Sequence, residues 1–151
     1  MEAREIMTSD VISVSPDISV LDLARLMTKK EIRGVPVIDG DILLGVVTEG
    51  DLIDRVKKIH LPTVVTILDT VIPIAGEHQY QEDLRKAAAR TAADIMTTEL
   101  VVVEEATSLS EVATALSEDH ASLLPVMRGE KVVGVISKSD VIRGILKESG
   151  E

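Results

Sequence analysis

Two short stretches of this chain set a hydroxyl and a carboxylate three positions apart where a helix should begin. They are Gly45-Val46-Val47-Thr48-Glu49-Gly50-Asp51 and Gly134-Val135-Ile136-Ser137-Lys138-Ser139-Asp140. A strand that feeds straight into a helix leaves backbone N–H groups unpaired. With a hydroxyl and a carboxylate beside them, such a junction can hold a phosphate or a ribose. The same pairing is an ordinary helix cap worth about 1 kcal/mol, and the two roles are compatible.

Other chemistry is poorly represented. His60, His78 and His120 are scattered without metal-ligand spacing, and no Ser-His-Asp or paired-carboxylate constellation can be placed. The absence of cysteine removes disulfides, thiolate metal sites and a thiol nucleophile. The chain is not expected to be an enzyme, and no catalytic or metal site is assigned.

The elements that position the two junctions follow from self-similarity. Ile6-Met7-Thr8 recurs 89 positions on as Ile95-Met96-Thr97, and the same offset carries Ser19 to Ser108, Pro36 to Pro125 and Asp51 to Asp140. No gap is needed between residues 6 and 54. Within each copy a β-branched run comes first (Val11 to Val14; Leu100 to Val103) and predicts a strand. Ser19 with Asp22, and Ser108 with Glu111, are capping-box starts. They open helices whose apolar stripes are Val20, Leu23, Ala24, Met27 and Leu109, Val112, Ala113, Leu116.

Strands should follow at Val35 to Ile38 and Leu124 to Met127, each with its proline at a strand start or edge. Gly40 and Gly129 supply tight turns into the return strands, Leu43 to Val47 and Val132 to Ile136. Second helices then begin at Asp51 and Asp140. The predicted fold is α/β of the α+β type, two β-α-β-β-α repeats: residues 1–60, a linker with a helix over 61–92, and residues 93–151. Within the linker, Thr63 to Ile74 reads weakly as helix. Gln81 to Ala93 reads as a better one, with Leu84, Ala87, Ala88 and Thr91 on one side.

Composition bounds the partners. Of the 151 residues 45% are hydrophobic, yet there is no Phe or Trp and one Tyr, so the core must be aliphatic and aromatic platforms for single-stranded nucleic acid are missing. A formal net charge of −10 opposes binding to nucleic-acid phosphates. No apolar run approaches the ~18 residues of a membrane span and the first residues lack a signal-peptide core, so a cytoplasmic protein away from membranes is expected.

The doubled β-α-β-β-α pattern resembles a tandem pair of cystathionine β-synthase (CBS) domains, a Bateman module. The residues that carry the resemblance are I-M-T near each start, a P-V hairpin, and G-h-x-[T/S]-x-x-D leading into a helix. It implies a pseudo-twofold sandwich with two clefts between the repeats. It also implies an energy-sensing regulatory module that binds AMP, ADP or ATP, with S-adenosylmethionine a further candidate and Mg²⁺ only beside a polyphosphate. By the resemblance, Asp51 and Asp140 accept from ribose hydroxyls, and Thr48 and Ser137 contact phosphate. Val46, Thr8 and Ile12, with Val135, Thr97 and Val101, line base pockets. Ile32, Arg33, Val35 and Pro36 complete one cleft; Ala121, Ser122, Leu124 and Pro125 complete the other.

The copies differ where charge matters. Arg33 can neutralise a phosphate and Ser122 cannot, while Lys138 adds positive charge, so the clefts should differ in affinity. The output would be a conformational change passed to an unidentified partner protein, from a homodimer like those in which many such modules pair. The competing expectation is a module that only dimerises and has no functional ligand.

Overall fold

The computed structural model describes residues 1–59, 64–67, 70–73, 90–119 and 121–151. The chain opens with a one-turn helix, α1 (Ala3–Ile6), followed by α2 (Val20–Lys30), the hairpin β1 (Gly34–Asp39) and β2 (Ile42–Thr48), and α3 (Glu49–Ile59). A second hairpin pairs β3 (Val64–Ile67) with β4 (Thr70–Pro73). The second repeat runs α4 (Ala92–Ile95), β5 (Val103–Glu104), α5 (Leu109–Glu118), β6 (Leu123–Arg128), β7 (Lys131–Ser137) and α6 (Lys138–Glu148). The offset of 89 holds from element to element, with β1 matching β6, β2 matching β7, and α3 matching α6.

The expected signals are used. Ser19 caps α2, its hydroxyl accepting from the Asp22 N–H at 3.1 Å, and Ser108 with Glu111 forms a reciprocal box on α5. Both hairpins bulge at the same place, between Val37 and Ile38 and between Val126 and Met127. Gly40 and Gly129 turn them with φ of +61° and +60°, a backbone state that L side chains resist. At the far end of β6, Arg128 grips Glu105 through two hydrogen bonds of 2.6 and 2.9 Å. The bonded guanidinium holds the Glu105 carboxyl below its ordinary range.

The opening strands are shorter than expected. Of Val11 to Val14 only Val14 pairs, in a parallel bridge to Val37, and the second copy keeps the two residues of β5 beside β6. Val14 N–H donates to the Pro36 carbonyl and the Ile38 N–H donates to Val14. The next rung back would need an N–H from Pro36, which has none. Pro125 ends the β5 ladder in the same way.

Two expectations in the linker change. Val64–Ile67 and Thr70–Pro73 form an antiparallel hairpin where a helix is read. Seven of these eight residues are β-branched, which lowers helix propensity and favours a pleated ladder. Thr91 is extended (φ −109°, ψ 166°) and caps α4 instead of lying within a helix over 81–93. The rest of that expected helix, residues 81–89, and all three histidines fall outside the described residues.

The cores are assembled by exchange. Ala3 is fully buried among Val112, Leu124 and Ile136 of the second repeat, and Ala92 among Leu23, Val35 and Val47 of the first. Thr8 and Val135 exchange backbone hydrogen bonds of 2.9 and 3.0 Å, and Thr97 and Val46 exchange bonds of 2.8 and 3.1 Å. Each repeat thus lends its first residues to the other, and the two halves are locked about a pseudo-twofold axis.

Candidate functional site

Both strand-to-helix junctions form as capping units. At Ser137 the backbone N–H and the hydroxyl donate to Asp140 Oδ2 at 2.8 and 3.0 Å. At Thr48 the corresponding distances to Asp51 Oδ2 are 2.9 and 3.2 Å. Each carboxylate keeps Oδ1 for something else, and there the copies part. Arg143, one turn along α6, donates to Asp140 Oδ1. Asp51 Oδ1 accepts from the Thr97 hydroxyl, at 3.2 Å, across the repeat boundary.

A cavity of about 460 Å³ lies between the repeats, a size typical of small-molecule sites. Ten expected residues line it: Thr8, Ile12, Ile32, Arg33, Thr48, Ser122, Val135, Ser137, Lys138 and Asp140. They come from the first repeat's opening segment, the α2–β1 and α5–β6 connections, the end of β2, β7 and the N-terminus of α6. Asp140 is only 4% exposed, yet it borders this space. Ile12, Ile32 and Val135 give an apolar wall, and Arg33, Lys138 and Arg143 bring cations to it.

The remaining expected residues lie elsewhere. Val35, Leu124, Pro36 and Pro125 are fully buried behind the cavity, in or beside the two cores. Val46 and Thr97 pair with each other, Thr97 also bonds Asp51, and Val101 and Ala121 pack against the second core. None of these, nor Asp51, lines the cavity.

Several lining residues escaped the sequence reading: Asp10, Glu31, Gly34, Glu49, Gly50, Leu123, Ser139 and Arg143. Arg143 could have been found, since i and i+3 share a helix face and it stands three residues after Asp140. Gly34 and Leu123 adjoin the P-V strands and were within reach for the same reason of spacing. Asp10 and Glu31 look like ordinary surface charges in the sequence.

The family model for the CBS domain matches residues 3–58 and 92–147. The chain belongs to the CBS-domain family and carries two such domains in tandem. It is 32% identical to the chloroplastic CBS domain-containing protein CBSX1 of Arabidopsis thaliana, over 94% of this chain and 63% of that protein. MJ1426, a protein of Methanocaldococcus jannaschii, is 24% identical over 97% of this chain and 92% of its own length. Among solved structures, Arabidopsis CBSX2 in complex with AMP aligns with a TM-score of 0.73 at 26% identity, covering 98% of both chains. The chain spans 58% of the full CBSX2 sequence. Among the described residues no helix is long and apolar enough to cross a membrane.

Proposed function

We propose that this chain is a regulatory module that binds an adenosine nucleotide in the cleft beside Asp140 and signals to a partner protein by a change of conformation. The observation that carries the reading is the Asp140 carboxylate, buried yet bordering a cavity with an apolar wall and with Arg33, Lys138 and Arg143 set among Asp10, Glu31 and Glu49. Adenine fits against Ile12, Ile32 and Val135. The ribose hydroxyls donate to Asp140 Oδ1, displacing Arg143, and the phosphate meets Ser137, Lys138, Arg33 and the free N–H groups opening α6. CBSX2, at 26% identity, is described in complex with AMP, which supports an adenosine ligand here. Such a ligand acts on a partner only through unequal affinity for two conformations.

The test is a thermal-shift panel of AMP, ADP, ATP, S-adenosylmethionine and NAD, with and without Mg²⁺. A ligand that binds only the folded state at 100 times its Kd should stabilise by about 2.7 kcal/mol. For a domain of this size that is about 5–10 °C in melting temperature. A panel in which nothing moves the transition leaves only the interaction module.

The proposed assembly is a homodimer. Ile53 on α3 and its counterpart Ile142 on α6 are 64% and 59% exposed, and Ile145 and Leu146 extend the patch along α6. Exposed apolar side chains at i, i+3 and i+4 of α6, with a matching one on α3, favour an interface. Light scattering at ~100 μM, well above typical micromolar association constants, should give a dimer mass, and Ile142→Glu with Ile145→Glu should give a monomer. A monomeric parent would remove the assembly from the proposal.

A further inference from the structure

Met7 and Met96 hold equivalent places in the two repeats, 89 residues apart, and each rests on a glycine of the other repeat. A Cβ on Gly45 would lie 2.9 Å from Met96 Sδ and 3.0 Å from its Cγ, and one on Gly134 would overlap Met7 Sδ. Each thioether thus fills the space that a missing side chain leaves. The threonine after each methionine makes a backbone bridge at the same boundary, Thr8 to Val135 and Thr97 to Val46. Thr8 and Val135 line the cavity, and the Thr97 hydroxyl also bonds Asp51.

These sulfurs are open to chemistry that the other elements of the core escape. The chain has no cysteine, so thioethers are its only sulfur nucleophiles. Met27 and Met127 are buried, at 4% and 8% exposure, whereas Met1, Met7 and Met96 are partly exposed. Met1 packs against the second core, but none of the described glycines has it among its nearest neighbours. Oxidation of sulfur follows exposure, and a sulfoxide replaces a flexible apolar group by a polar, wider one. Met7 packs on the second repeat's core and Met96 on the first's, among aliphatic side chains that offer the new oxygen no hydrogen bond. To reach water the side chain must leave its glycine, and the bridge beside it loses its support.

We propose that Met7 and Met96 are oxidation sites through which a hydroperoxide loosens the boundary between the repeats. A sulfur lone pair attacks the outer peroxide oxygen, the O–O bond breaks and an S–O bond forms. The proton passes to the departing hydroxide, which leaves as water; the thioether is oxidised and the peroxide reduced. At Met7 the change reaches the cavity wall through Thr8 and Val135. At Met96 it reaches Asp51 through Thr97. The proposal is independent of which ligand the cavity takes.

Hydrogen peroxide on the folded chain tests it, with peptide mass mapping and circular dichroism melts on the parent and on Met7→Leu/Met96→Leu. The parent should gain one oxygen on each of Met7 and Met96 while Met27 and Met127 remain thioethers. Its melting temperature should fall by about 4–8 °C, and methionine sulfoxide reductases of both stereospecificities should restore it. Leucine is close to methionine in volume and cannot be oxidised, so the double variant should melt within ~2 °C of its untreated value after peroxide, even with Met1 oxidised. The reductase step decides on the parent alone, whatever the leucines cost in packing. Oxidation of Met27 and Met127 as fast as Met7 and Met96 would overturn the proposal. So would a doubly oxidised parent with an unchanged melt, a loss that the reductases do not reverse, or an equal loss in the leucine variant.

Discussion

A valine at Gly45 should lower the melting temperature by about 6–12 °C, the equivalent of about 3 kcal/mol in a domain of this length. A Cβ at this position would lie 2.7 Å from the Thr97 carbonyl oxygen and 2.9 Å from Met96 Sδ. The methionine can rotate away, but the carbonyl cannot, because it accepts the Val46 N–H at 3.1 Å in the bridge that joins the repeats. Valine's preference for strands returns only a few tenths of a kcal/mol. At Gly134 the three nearest atoms all belong to the Met7 side chain, which can rotate, so Gly134→Ala should be the milder change. Circular dichroism melts decide it, and a Gly45→Val protein that unfolds within ~2 °C of the parent would mean the repeats are not in contact there.

That contact explains a residue whose presence in the repeated motif the sequence left unexplained. The glycine of each G-h-x-[T/S]-x-x-D stretch was legible as part of a repeat, but not as the place where the other repeat's Met-Thr pair rests. The elements themselves were readable because helix caps and turn glycines are local signals: Ser19, Ser108, Gly40 and Gly129 act within a few residues of themselves. The exchange of opening segments was not. Periodicity tells which face of a segment is buried and is silent about what buries it. Ala3 and Ile6 could fill either aliphatic core as well as Ala92 and Ile95 do, so nothing in their chemistry names the repeat they serve.

The candidate site divides along the same line. Ser137, Asp140, Thr48 and Arg33 were legible because the types and spacings that cap a helix or neutralise a phosphate are local. Val35, Pro36, Leu124 and Pro125 stand next to the cleft in sequence but are fully buried: Val35 and Leu124 belong to the two cores, and Pro36 and Pro125 are covered on the opposite face of the same strands. Arg143 and the Thr97–Asp51 bond needed the fold. One depends on where α6 turns its second row of side chains, the other on an approach across 46 residues of sequence.

Replacing Asp140 by alanine should weaken AMP binding by about 10–100-fold and stability by only ~1 kcal/mol. The two effects have different sources in one carboxylate. Oδ2 serves the helix: it accepts the N–H and hydroxyl of Ser137, and its loss leaves a capping hydroxyl that can turn to Ser139, 2.9 Å away. Oδ1 faces the cavity and accepts from the exposed guanidinium of Arg143, which in the proposed complex gives way to a ribose hydroxyl. Vicinal hydroxyls need an acceptor that is already desolvated and fixed, and a carboxylate at 4% exposure is both. Alanine removes the acceptor; Arg143 already reaches water, and the part-buried Ser137 N–H, which donates to Oδ2 at 2.8 Å, is the donor left behind and the source of the modest stability loss. Ser137→Ala should show the complement, a comparable loss of stability with most of the affinity kept, since Lys138, Arg33 and the helix N–H groups still meet the phosphate. Denaturant melts and AMP titrations on the two variants separate the roles. Should Asp140→Ala bind AMP as tightly as the parent while melting earlier, the aspartate is a helix cap and the ribose assignment falls.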